Sequence, residues 1–247
     1  MFRRFPAIVF AAILFGAPCA ADEIRVAVAS NFRYAIEDLA PRFERQTGHD
    51  LTLIFGSTGK HYAQIKHGAP FDLFFAADAH RPQLLEEEGL AAPGSRFTYA
   101  LGKLVLWSPQ PGLVDPKGTM PKDGTFRYLS IANPKLAPYG RATEEVLQVS
   151  GLWKSLQRKM VRGENIGQAL QFVRSGNAEL GFVAYSQIKR PGHLVNGSYW
   201  EVPQSLYTPI TQQAVLLKEG RAARDFIAFM HSEEARATIR SYGYTTP

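Results

Sequence analysis

Ile24-Arg25-Val26-Ala27-Val28-Ala29-Ser30-Asn31 is the stretch that decides the fold. Its first six residues alternate apolar with small or polar side chains, as a strand does, and it closes on Ser30-Asn31, residue types that cap helices. Beyond it, Ala35, Leu39 and Phe43 fall at helical spacing and Thr47-Gly48 supplies a stop. The same unit then recurs. Leu51-Thr52-Leu53-Ile54-Phe55 reads as a strand, Gly56-Ser57-Thr58-Gly59 as a small-residue turn, and residues 60–67 as a helix with Tyr62 and Ile65 inward, ended by Gly68-Ala69-Pro70. Phe71-Asp72-Leu73-Phe74-Phe75-Ala76-Ala77 is nearly all apolar, the pattern of a strand buried on both faces, and a helix over 81–88 follows Asp78. Three strand–helix units in succession predict an α/β protein built on mainly parallel sheet.

The middle of the chain changes character. Leu101-Gly102-Lys103-Leu104-Val105-Leu106-Trp107 reads as one strand running into residues 109–124, where Pro109, Pro111, Pro116 and Pro121 with Gly112, Gly118 and Gly124 predict a loop or linker. Tyr128-Leu129-Ser130-Ile131-Ala132 is a further strand, and a helix starting near Tyr139-Gly140 carries Val146, Leu147 and Val149. Helices are expected over 152–156, 166–174, 222–230 and 235–239, and strands at Leu180-Gly181-Phe182-Val183-Ala184 and Gln213-Ala214-Val215-Leu216-Leu217.

A chain of 247 residues with 45% apolar side chains and a formal charge of +6 can bury a sizeable core, which excludes disorder, collagen and coiled coil. Arg3-Arg4, the apolar run Ala7 to Phe15, and the small residues from Gly16 to Ala21 read as a secretory signal peptide over 1–21, cleaved after Ala20 or Ala21. That run is far short of the ~20 residues that cross a bilayer. Cys19 raises a lipid anchor as the alternative, but Pro18 beside it and the missing Leu ahead of it argue against one. Export removes Arg3, Arg4 and the one cysteine, so the mature chain can form no disulfide, thiolate metal site or cysteine nucleophile.

One device recurs, a strand ending in hydroxyl or amide residues that open a helix. Such a helix start presents unpaired N–H groups and the positive end of the macrodipole, so several of them converging make an anion site without Lys or Arg. Ser30-Asn31, Ser57-Thr58 and Tyr139-Gly140 all sit at such junctions, although each alone is explained by helix capping. Other chemistries find less support. Gly56-Ser57-Thr58-Gly59-Lys60 resembles half a P-loop, but Ile54 stands where its first Gly should be and His61 where the metal-binding hydroxyl should be. No Gly-x-Ser-x-Gly or His-Glu-x-x-His occurs, which disfavours a serine hydrolase of that type and a zinc site. The positive charge is scattered, against a nucleic-acid partner.

Five segments together resemble a known family: Val26-Ala27-Val28-Ala29-Ser30-Asn31-Phe32; Phe55-Gly56-Ser57-Thr58-Gly59-Lys60; Gly68 through Asp78; Asn133-Pro134 with Ala137-Pro138-Tyr139-Gly140; and Tyr242-Gly243-Tyr244. In order and spacing they resemble the periplasmic molybdate-binding proteins of molybdate ABC importers. The resemblance implies a two-lobe type II periplasmic binding protein fold, with mixed, mainly parallel sheets and a ligand cleft between the lobes. It implies lobe I at 22–104 plus 208–247 and lobe II at 105–207. It also implies a periplasmic monomer that delivers molybdate or tungstate to a membrane permease, with no catalytic step and no cofactor. Family contacts carried over by position fall on Ser30, Asn31, Ser57 and Thr58 in the first lobe, and on Tyr139 and the backbone N–H of Ile166 in the second. Many members place a tyrosine where this chain has Ala184. A branch of the family instead supplies its tyrosine from the position of Tyr139, and resemblance to that branch implies that Tyr139 takes the role here; Tyr185 comes one residue late, which turns it to the other face of a strand, and is expected to pack.

Molybdate and tungstate carry no proton at neutral pH, so a site made only of donors suits them, whereas phosphate keeps a proton and wants an acceptor. Sulfate or another tetrahedral oxyanion is the nearest alternative ligand. A secreted hydrolase using Ser30 or Ser57 is a third reading, and needs a His and an acid converging on the serine.

Overall fold

The computed structural model describes residues 22–119 and 125–247; the expected signal segment with Cys19, and Pro121 and Gly124 of the expected loop, lie outside them. Ten strands are described: β1 (Glu23–Ala29), β2 (Asp50–Gly56), β3 (Leu73–Phe75), β4 (Phe97–Gly102), β5 (Leu104–Ser108), β6 (Leu129–Ala132), β7 (Met160–Gly163), β8 (Leu180–Ala184), β9 (Ser198–Glu201) and β10 (Ile210–Leu216). The helices are α1 (Arg33–Thr47), α2 (Thr58–Lys66), α3 (His80–Glu87), α4 (Pro138–Val149), α5 (Trp153–Leu156), α6 (Ile166–Arg174), α7 (Tyr185–Ile188), α8 (Arg221–Met230) and α9 (Glu233–Ser241).

The strands form two five-stranded sheets of matching design, ordered β2-β1-β3-β10-β4 and β7-β6-β8-β5-β9. In each, the first three strands pair in parallel and the fourth, β10 or β5, runs against both of its neighbours. The chain leaves the first sheet at Lys103 and enters the second at Leu104. The single strand expected over 101–107 is therefore two, β4 and β5, in different sheets. Apolar patterning reports that a segment is buried but not against what, so it runs straight through the crossing. The chain returns along residues 202–209 to β10. The strands β7 and β9 were not expected from sequence; both are short edge strands, Met-Val-Arg-Gly and Ser-Tyr-Trp-Glu, with little alternation to reveal them. The expected strand over 71–77 contracts to Leu73–Phe75.

Each sheet has its own core. Against the first, α1 buries Ala35, Ile36, Leu39 and Phe43, and Phe43 meets Phe226 of α8 edge-on at 4.9 Å between ring centres. The stop expected at Gly48 is present, with Gly48 in the left-handed region at φ 76° and its N–H on the Glu44 carbonyl. Against the second sheet, α4 buries Ala142, Val146 and Leu147, while Val149 on the same helix is exposed. Burying each of the larger of these side chains contributes roughly 1.5–3 kcal/mol. These helices are thus held firmly enough for their first turns to act as fixed groups.

Candidate functional site

The parallel strands of both sheets deliver their carboxyl ends to one cleft, the place where open α/β sheets gather ligands. Ser30 follows β1, Ser57 and Thr58 follow β2, Asn165 and Ile166 lie just beyond β7, and Tyr139 stands in the first turn of α4 after β6. The six residues expected from sequence, Ser30, Asn31, Ser57, Thr58, Tyr139 and Ile166, all line one small, tightly closed cavity, with Ala29, Gly56, Ala77, Ala137, Pro138 and Asn165 completing the wall. Neither an acidic nor a basic side chain is in that lining. Tyr185 is outside it and packs against Tyr199 at 5.9 Å; burial beside that ring pushes its hydroxyl up to about 12.

The four hydroxyls share one feature. Ser30 Oγ accepts from the Gly167 N–H at 3.1 Å, Ser57 Oγ from the Lys60 N–H at 3.3 Å, Thr58 Oγ1 from the Ala77 N–H at 3.0 Å, and Tyr139 Oη from Gln212 Nε2 at 3.3 Å. A hydroxyl whose oxygen already accepts from the protein has its single proton to give. Burial, and then the neighbouring tyrosines Tyr244, Tyr207 and Tyr99, push the Tyr139 hydroxyl well above its ordinary range, so it stays a donor.

The helix starts follow the same logic. The first N–H groups of a helix have no intrahelical acceptor. In α2, Gly59 N–H goes to Leu136 O at 2.9 Å and Lys60 N–H to Ser57, leaving Thr58 N–H. In α6, Gly167 N–H goes to Ser30 and Gln168 N–H to the capping Asn165 Oδ1 at 3.0 Å, leaving Ile166 N–H. Asn31 differs from expectation in what it can offer. Both hydrogens of its Nδ2 are committed, to Gln212 Oε1 at 2.6 Å and Tyr244 Oη at 3.0 Å, and its buried Oδ1 has no partner. Only its backbone N–H is left as a donor.

Several bonds span the cleft around this cavity. Besides Ser30–Gly167 and Gly59–Leu136, Lys60 Nζ meets Glu164 at 2.9 Å and Arg174 Nη1 donates to Tyr34 Oη at 3.0 Å. The Arg190 guanidinium lies 3.4 Å over the Tyr34 ring, and Ser186 Oγ donates to Tyr244 Oη at 2.8 Å. Sequence reasoning missed Gly167, next to the expected Ile166, and Gln212, Ser186 and Gly102, which lie away from the expected contacts along the chain. A Cβ on Gly102 would lie 2.1 Å from Tyr139 Oη and 2.6 Å from Gln212 Nε2, so glycine there lets the two meet.

A cleft between two sheets of this topology, floored by helix starts, defines a solute-binding protein. Residues 24–245 match the model of the bacterial extracellular solute-binding proteins, and the chain belongs to that family. Within it the chain is similar to the molybdate-binding protein ModA of Azotobacter vinelandii, 51% identical over 231 residues and 92% of each chain. It is likewise similar to ModA of Rhodobacter capsulatus, 49% identical over 93% of this chain and 90% of the relative. Among solved structures, the Azotobacter vinelandii periplasmic molybdate-binding protein superposes with a TM-score of 0.87 at 44% identity, covering 91% of this chain and 99% of that one.

Proposed function

We propose that this chain captures molybdate or tungstate in the cavity between its lobes and delivers it to an ABC importer. The observation that carries the reading is the uniform polarity of the lining: four hydroxyl oxygens each already accepting from a protein N–H, beside the unclaimed N–H groups of Thr58 and Ile166. Such a wall offers a ligand several protons and no carboxylate, the Asn31 Oδ1 being its one unpartnered side-chain acceptor among the described residues. It suits a dianion that carries no proton and serves phosphate less well, since phosphate's own proton finds no carboxylate there. Ser30, Ser57, Thr58 and Tyr139 serve through hydroxyls, and Asn31 and Ile166 through backbone N–H groups. The ends of α2 and α6 supply the balancing positive potential, so no lysine or arginine is needed.

The relatives named molybdate-binding protein ModA support the ligand. The lobes are residues 22–103 with 208–247, and 104–207, a boundary one residue earlier than expected because Leu104 already pairs with Ala184 in the second sheet, and their closure presents one shape to the permease. The mature chain works as a periplasmic monomer after loss of residues 1–21 and is not an enzyme. His61, four residues beyond Ser57, uses its ring nitrogens on Val28 O at 3.2 Å and Gln64 Oε1 at 3.1 Å, so it is not poised as a base for the serine. Competitive calorimetry with molybdate, tungstate and sulfate tests the reading. We expect ~1:1 binding of molybdate and tungstate, displaced by sulfate only at large excess; binding of sulfate or phosphate in preference to both would refute it.

A further inference from the structure

Gln212, on β10, is fully buried and reaches the cavity only through another residue. Its Oε1 accepts from Asn31 Nδ2 at 2.6 Å, and the Tyr99 hydroxyl, 3.1 Å away, shares its one proton between that oxygen and Ala76 O at 3.0 Å. With the Asn31 amine on the oxygen, the other end of the amide is the one facing Tyr139, and Nε2 donates to Tyr139 Oη at 3.3 Å. Turning the amide over would set its NH₂ against the Asn31 NH₂. The surrounding backbone is shaped to this contact. The β4–β10 ladder shifts register between Gln212 and Gln213, passing over Tyr99, and such irregularities re-aim side chains. Opposite, Gly102 leaves open the volume in which Tyr139 and Gln212 approach.

The other three hydroxyls of the cavity are held as acceptors by backbone N–H groups, whose donor character no substitution of a side chain can reverse. Tyr139 alone is held by a side chain. We propose that Gln212 is a positioning and specificity-determining residue: by donating to the Tyr139 oxygen it fixes the Tyr139 proton towards the bound oxyanion, and so withholds the Tyr139 lone pair from oxyanions that carry a proton. The inference rests on the oxyanion-binding reading above. Without Gln212, the tyrosine can rotate its proton away and turn a lone pair inward, which a protonated oxyanion could use.

Calorimetry of full-length mature protein with molybdate and with inorganic phosphate, on Gln212→Met alone and in a Tyr139→Phe background, tests this. Gln212→Met fills the same volume without a donor. We expect molybdate binding to weaken about tenfold, equivalent to about 1.4 kcal/mol, with phosphate unaffected or tighter, so that the molybdate-to-phosphate ratio falls by at least that factor. In the Tyr139→Phe background the same substitution should change molybdate affinity by less than about twofold, the scatter expected of a residue with no remaining coupling to the ligand. An equal loss in both backgrounds, or an unchanged ratio, overturns the proposal. Gln212→Glu is the second variant. It keeps acceptors for Asn31 and Tyr99 but draws the Tyr139 proton to itself, so molybdate should bind it more weakly than it binds Tyr139→Phe at neutral pH and recover as the carboxyl protonates. Wild-type affinity in Gln212→Glu would also overturn the proposal. Failure of the unaltered protein to bind molybdate would instead strike the parent reading, and the two failures are read from different samples.

Discussion

Replacing Tyr139 by Phe removes one oxygen, and the structure separates its effects on binding and on stability. In the loaded protein the hydroxyl gives a charge-assisted hydrogen bond to the anion, worth about 1.5–3 kcal/mol. That corresponds to a Kd raised roughly 10- to 150-fold. In the protein without ligand, the same change leaves one hydrogen of Gln212 Nε2 without its acceptor, because Tyr139 Oη is the partner it has. Gln212 is fully buried, so that orphaned donor costs about 1–3 kcal/mol of stability. The orphan exists equally with and without ligand and cancels from the affinity. Calorimetry should therefore show the weakened binding, while thermal unfolding of the unliganded variant should show a fall of about 2–4 °C per kcal/mol for a chain of this size. An unchanged Kd beside a lowered Tm would refute the assignment, showing that the hydroxyl serves Gln212 alone.

Three further outcomes follow from the same geometry. Gly102→Ala puts a Cβ 2.1 Å from Tyr139 Oη, so the hydroxyl must move; calorimetry should show binding weakened at least as much as in Tyr139→Phe, and wild-type affinity would show that the ring relaxes without consequence. His61 is buried under Gly56, and burial, its largest influence, holds it below its ordinary pKa. The unfolded chain therefore takes up that proton first: the stability linked to His61 is present above about pH 6.5 and is lost as pH falls below it. His61→Gln should flatten that slope in denaturant titrations, leaving the part owed to His231, which burial also lowers. Glu164→Gln breaks the half-exposed pair with Lys60 across the cleft and should change Kd by less than about fivefold, the difference vanishing in high salt.

The sequence was most legible where local pattern and tertiary role agree. The strand at Leu180–Ala184 and the helix at Ile166–Arg174 lie where periodicity places them, because each has an apolar face fixed by one sheet. The start of α2 was legible because Ser57 is a capping residue in fact as in type, accepting from the N–H three residues on, whereas no side chain caps the turn that Ser30-Asn31 open. What stayed hidden is relational. Nothing local at Gly102-Lys103-Leu104 says that the chain changes sheets there, since both sides of the crossing are equally buried. Gln212 is an unremarked polar residue in a strand until the fold sets it against Asn31, Tyr99 and Tyr139, residues 73 or more positions away. Asn31 shows the converse, a residue placed at the right wall whose side-chain N–H donors turn out to be spent on the protein.

The two passages of the chain between sheets also set an order of assembly. The second sheet, β5 through β9, is drawn from one uninterrupted stretch ending at Glu201, so a chain supplied from its N-terminus can close it while everything from residue 202 on, β10 included, is still to come. The first sheet cannot close then, because β4 meets β3 only through β10. The half that begins the chain is thus the half that finishes last, and β10, which carries Gln212, is the strand that finishes it. A chain shortened ahead of Ile210 would keep every hydroxyl of the cavity, yet leave β3 and β4 as open edges and Tyr139 without the residue that directs its proton.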